Sequence, residues 1–198
     1  MKKHLVEREY REGHAVLSTH GNRLNAEIKL YNFNNAEIGK MSSAISHASQ
    51  GLNSQAFKTW CLNHKYKKRI KTGWFRSKTV LVHGFHKNGG LDNQQIYDLI
   101  MGGRETLQQS TVGVMNIVTK IDDRNKRGVL GYTYANSIPQ YIYNWFFQSG
   151  SLFDIAGNTI HEWMHKLNFK HARRFNSMRR FTVPYAVGYW IRDYRNAL

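Results

Sequence analysis

Only one of the 198 residues is a cysteine, Cys61, which excludes an internal disulfide and argues against a cysteine-ligated metal centre. A lone cysteine in an apolar-flanked helical stretch reads as a small core residue. Acids are also scarce, with 13 Asp and Glu set against 29 Lys and Arg, for a net charge of +16 and a pI near 10.1. From Arg124 onward the acids are only Asp154, Glu162 and Asp193. No apolar run approaches the roughly 18 residues that a membrane-spanning helix needs. The N-terminal stretch carries bases but no apolar segment, so no signal peptide is expected. Synthesis in the cytoplasm is the expectation, with any export by another route.

Apolar and aromatic residues are well supplied, at 41% and 13%, which suits one globular domain of moderate size. The excess positive charge makes a surface that attracts nucleic acid, anionic lipid, an acidic cell-wall polymer or an acidic protein. It says nothing about fold.

The most informative stretch runs from Thr159 to His171 and contains His161-Glu162-Trp163-Met164-His165, with a third histidine, His171, six residues later. On a helix, residues four apart share a face one turn apart, so His161 and His165 can point at one metal ion. Glu162 sits beside them, where a carboxylate can take a proton from a water at the ion. A continuing helix would carry His171 away. Asn168 supplies the break, because asparagine tolerates the left-handed conformation that ends helices. Three neutral imidazoles leave one tetrahedral position of a zinc ion for water, the arrangement of a catalytic site rather than a structural one. No Glu follows Glu162, and Asp193 is the only downstream Asp, so His171 has the better spacing for a third ligand. Zn2+ is the expected cofactor, at one ion per chain.

Around the motif the chain alternates short strand-like and helical stretches. Residues 15–19 and 26–33 alternate apolar and polar side chains across a His20-Gly21-Asn22 turn signal, predicting a β-hairpin. Helices are expected over 35–50 and 53–64, and Lys65-Tyr66-Lys67-Lys68-Arg69 reads as a solvated loop. Strands are predicted at 79–83, 112–121, 129–134 and 140–147. Asp92 caps a helix expected to reach Gln109, and the motif helix is expected over 153–167. A last helix begins at Pro184 and runs toward Asn196. His83 and His86, near a strand end, can be read as further zinc ligands or as ordinary loop residues.

The motif resembles the metzincin zinc-peptidase signature H-E-x-x-H-x-x-G-x-x-H, matched by His161, Glu162, His165 and His171, with Asn168 where the clan has glycine. The order of elements also resembles that clan. The resemblance implies an α+β fold with a mixed sheet, an active-site helix and a small C-terminal helical subdomain spanning 45–198, preceded by an extension over 1–44. It implies a zinc metalloendopeptidase acting on a peptide or protein substrate, with Glu162 as general base. It implies an edge strand that pairs with extended substrate, either Gly131, Tyr132, Thr133 and Tyr134 or the stretch 141–144. Metzincins place a methionine in a turn beneath the zinc, and Met178 or Val183 stands at that place. Thr182-Val183-Pro184-Tyr185 resembles the tyrosine-bearing turn of the astacin and serralysin branches, which would let Tyr185 stabilise an oxyanion; it equally reads as a helix-start aromatic. The other reading of the whole chain is a basic nucleic-acid-binding or assembly protein with a vestigial or structural metal site.

Overall fold

Strand alternation and two glycine contacts explain most of the architecture. The computed structural model describes residues 15–19, 21, 23–107, 111–126, 128–134, 136–171 and 176–195. The N-terminal basic stretch, the turn residues His20 and Asn22, the predicted helix end at Gln109, and Asn196 lie outside them.

Strand β1 (Ala15–Thr19) pairs antiparallel with β2 (Asn25–Tyr31), Ala15 facing Leu30 and Thr19 facing Ala26. In β2, Ala26, Ile28 and Leu30 are buried while Glu27 and Lys29 are exposed, so one face of the sheet is packed and the other is solvated. Parallel to β2 runs β5 (Val114–Asp122), and parallel to β5 runs β7 (Gln140–Tyr143). Strand β6 (Gly131–Thr133) closes the sheet antiparallel to β7, giving the order β1-β2-β5-β7-β6. The fold is thus mixed α/β with a mixed sheet and, among the described residues, six α-helices. None of these is long and apolar enough to cross a membrane.

Helix α1 (Asn35–Asn53) opens on a capping box, Asn34 accepting from the Glu37 amide at 2.9 Å and Glu37 accepting from the Asn34 amide at 2.8 Å. It packs Met41, Ala44, Ile45, Ala48 and Leu52 into the core. Strand β2 lies inside the sheet, and a boundary at residue 44 would cut α1 in two, so the hairpin and α1 share one core with the later elements. Helix α2 (Gln55–Leu62) comes directly after α1, capped by Ser54, and buries Phe57 and Cys61.

The segment expected as a basic loop is a strand. Strand β3 (Lys65–Lys71) pairs antiparallel with β4 (Ser77–His83) in a separate two-stranded sheet, Lys65 facing His83 and Lys71 facing Ser77. Lysines are no obstacle to an extended conformation when both faces of the ribbon are wet. What fixes the base of the ribbon is Tyr66, buried and stacked on Phe181 at 5.3 Å.

Helix α3 (Asn93–Gly102) stops short of Gln109. Gly103 takes a left-handed φ of 64°, and a side chain there would collide with the Val114 backbone. The strand predicted at 140–147 ends at Tyr143, where α4 (Asn144–Ser149) begins. Its aromatic run has strand propensity, but Lys40 of α1 donates to the Phe147 carbonyl at 2.6 Å and caps the helix end, while Phe147 enters the core edge-on to Phe33.

The last two helices carry the site. Helix α5 (Leu152–Lys166) starts at a Ser151–Asp154 capping box. A 3-10 turn (Arg179–Phe181) leads into α6 (Val183–Asp193), with Pro184 in its first turn. The two helices approach at Gly157 and Gly188. A Cβ on Gly157 would sit 2.6 Å from the Gly188 carbonyl oxygen, and one on Gly188 would sit 2.9 Å from that of Gly157. Helix α5 therefore has two contact surfaces. Ile155, Ala156, Ile160, Trp163 and Met164 face the core, Phe153 is half-buried against His47, and Gly157 lies under α6.

One buried acid supports this arrangement. Glu105 accepts a 2.8 Å hydrogen bond from the Trp163 indole, and burial raises its carboxyl from the ordinary 4.5 to about 7 despite that bond and the nearby Lys166. The folded state therefore holds the Glu105 proton more tightly than the unfolded chain does. That contribution is complete below about pH 4.5 and is lost as pH rises toward about 7. We expect Glu105→Gln, which keeps an acceptor for Trp163, to remove this part of the stability slope, at most about 1.4 kcal/mol per pH unit. Denaturant midpoints of both proteins across that range are the check; parallel curves would mean that Glu105 titrates as it does in the unfolded chain.

Candidate metal centre

The C-terminus of α5 is built to turn the chain back. Asn168 adopts φ 69°, its amide donates to the His165 carbonyl at 3.1 Å, and the Phe169 amide donates to the Met164 carbonyl at 3.1 Å. This is a Schellman closure with asparagine in the place glycine usually takes. Phe169 is buried and anchors the returning strand of chain, which brings His171 to the same side as His161 and His165.

One ligand nitrogen from each of the three histidines lies within 4.8 Å of the other two. The ring centroids of His161, His165 and His171 are 4.8–5.5 Å apart. One of the imidazoles is oriented by a hydrogen bond. His165 Nδ1 lies 2.8 Å from the Phe169 carbonyl, which can only accept, so Nδ1 carries the proton and Nε2 keeps its lone pair. The Pro184 carbonyl, at the start of α6, faces His161 and weakly opposes the effect of its burial. Burial drives both imidazoles toward the neutral form, His161 well below its usual value and His165 to about 4. Neutral imidazoles with convergent lone pairs fit a zinc ion.

Glu162 is 6% exposed, and burial raises its carboxyl to about 8, opposed by the positive charges of Lys166 and Arg179. Lys166 is held by the Ser137 carbonyl, and its own carbonyl accepts from the Thr106 amide at 3.0 Å. Tyr185 sits edge-on to His161 at 4.4 Å between ring centroids and lies 5.0 Å from His171. Burial raises its phenol above the ordinary value. Val183 is buried in the core just before Pro184, whereas Met178 is half-buried ahead of the 3-10 turn.

The three histidines, Glu162 and Tyr185 line a cleft of about 630 Å³ between α5, α6 and the β6 edge. Gly131, Tyr132 and Thr133 line it, whereas Tyr134 lies beyond β6 and is exposed. The stretch 141–144 does not offer an edge, because β7 is held between β5 and β6. Gly131 lies against Asn158 of α5, with no room for a Cβ. The hydroxyl of Tyr132 is anchored by Asp122 at 2.8 Å, and its ring stacks on Tyr141 at 4.6 Å. His83 is exposed on β4 and His86 contacts Tyr66; neither belongs to the three-histidine group.

Sequence reasoning did not single out Arg179. Its guanidinium stacks over Tyr185 at 4.8 Å and its Nη2 lies 3.3 Å from His171 Nε2. Where Nε2 is the nitrogen offered to an ion, its lone pair can serve only one of the two. In the sequence Arg179 is one base in a strongly basic segment, and nothing there marks it out. Tyr189 and Arg192 of α6 also line the cleft and likewise lacked a signal.

No known family, no curated protein and no solved structure matches the chain. The case for a chemistry therefore rests on the residues of the site.

Proposed function

We propose that the protein is a zinc-dependent peptidase of metzincin type, hydrolysing a peptide bond across the cleft between β6 and α5. The observation that carries this reading is the convergence of His161, His165 and His171 beside a buried Glu162 that belongs to none of the three ligand positions. His161, His165 and His171 would hold a zinc ion, which would supply a Lewis acid and bring the pKa of water to about 7. Glu162, ionised once the charge of a bound ion offsets the burial that raises its carboxyl, would accept the proton of the attacking water and return it to the departing amide nitrogen, so that one water is consumed for each bond broken. An extended substrate chain adds to the outer edge of β6, its backbone bonding to Gly131, Tyr132 and Thr133. The Tyr185 hydroxyl donates to the carbonyl oxygen as negative charge develops there. The phenol stays protonated over the working range because burial raises its pKa.

Tyr185→Phe is expected to lower kcat by about 10²-fold with KM little changed, the cost of one oxyanion donor. Equal kcat in the two proteins would make Tyr185 a packing aromatic. The activity itself is tested by a broad peptide-cleavage screen of the zinc-loaded protein beside Glu162→Gln. Cleavage by the wild type alone is expected. Zinc binding without cleavage in either protein would favour a basic binding protein for nucleic acid or a larger assembly.

A further inference from the structure

The β3–β4 ribbon ends in a turn that carries Trp74 and Phe75, which are 96% and 97% exposed. The two rings touch edge to face at 6.3 Å, so the turn presents one apolar tip rather than two scattered side chains. Nearly complete exposure of two adjacent large aromatics has no folding rationale, because they bury nothing. The stem behind them is basic. Residues 65–78 contain seven Lys and Arg and no acid, and no acid occurs anywhere between Glu37 and Asp92. The ribbon forms its own two-stranded sheet and, among the described residues, is held at its base, where Tyr66 packs on Phe181 and the Gly84 amide donates to the His64 carbonyl at 2.9 Å. From Lys65 to Lys71 the stem spans about 20 Å at the rise of an extended strand.

We propose that this ribbon docks the protein on an anionic lipid bilayer, tip first. The order of chemistry along the ribbon favours lipid over nucleic acid. The rings lead, and Lys71 and Arg76 come immediately behind them. Trp and Phe at the tip suit the boundary between acyl chains and headgroups, while the bases behind reach the phosphate layer. A single-stranded nucleic acid instead needs stacking rings placed alongside the bases, in a groove that tracks the backbone. The base of the ribbon rests on Phe181, the residue that ends the Arg179–Phe181 turn, whose first residue lines the cleft.

The test is cosedimentation of the full chain with phosphatidylcholine vesicles with and without about 30% phosphatidylglycerol. Two variants are compared with the wild type: Trp74→Ala/Phe75→Ala, which leaves the charge unchanged, and Lys67→Gln/Lys68→Gln/Arg69→Gln. We expect the wild type to bind the anionic vesicles at least about tenfold more tightly than the neutral ones. The tip variant should lose about tenfold or more while melting at the wild-type temperature, since its two side chains pack on nothing. The stem variant should lose most of the anionic preference, and raising the salt should do the same. In the wild type, brominated acyl chains should quench tryptophan fluorescence, an observation that needs no variant. Wild-type affinity in the tip variant would reduce the binding to bulk charge and overturn the proposal, as would failure of the wild type to bind anionic vesicles. If the tip variant instead loses affinity for a single-stranded oligonucleotide and keeps its affinity for vesicles, the ribbon is a nucleic-acid surface.

Discussion

Exchanging Glu162 for Gln will leave zinc content nearly unchanged and slow peptide cleavage by roughly two to four orders of magnitude, the usual contribution of a general acid–base. Glutamine keeps the volume and one acceptor oxygen of the side chain, so the packing around this 6%-exposed position survives. It cannot accept a proton from water at neutral pH. None of the three converging nitrogens comes from Glu162, so the exchange removes the base and leaves the ligand set. Burial of the carboxylate carries a cost, evident in the upward shift of its pKa to about 8, and Gln removes that cost. The variant should therefore be at least as stable as the wild type without metal. Cleavage at the wild-type rate would show that Glu162 is not the base and would remove the proposed mechanism.

His165→Ala should have the opposite pattern, losing metal and activity together. His165 is tied to the turn that delivers His171, through its 2.8 Å hydrogen bond to the Phe169 carbonyl. Its removal deletes one ligand and loosens the segment that positions another. Affinity for zinc should fall by more than about 100-fold, since even the loss of an outer hydrogen-bond partner of a ligand costs about 10–100-fold. Metal binding is coupled to folding, so a chelator should lower the melting temperature of the wild type and leave that of the variant unchanged. A zinc titration of the variant that still saturates at one ion per chain with wild-type affinity would remove His165 from the ligand set.

The site was more legible than the fold around it, for a physical reason. His161, Glu162 and His165 lie within one helical turn, and His171 is separated from them by one conformational choice at Asn168. Local spacing settles where such residues point. The strands β2, β4, β5, β6 and β7 overlap the stretches where alternation and β-branched or aromatic residues suggest them. What was not legible depends on partners distant in sequence. The 144–149 segment is a helix because Lys40, more than a hundred residues earlier, caps its carbonyls. The 65–71 segment is a strand because it has β4 to pair with and no core to avoid. Arg179 reaches the histidines through the turn that precedes α6, and spacing along the chain carries no trace of that. The Gly157–Gly188 approach, which sets Pro184 against His161, is likewise invisible until the two helices are seen together.

The most direct test of a zinc-dependent hydrolytic centre is a single titration. Zinc is added stepwise to the metal-free protein while bound metal and peptide cleavage are measured in the same samples, with a broad peptide mixture as substrate. The three-histidine site predicts that cleavage is absent without metal, rises in proportion to bound zinc and levels off at one ion per chain. Cleavage that is undiminished in the metal-free protein, or saturation at one zinc with no cleavage of any peptide, would contradict it.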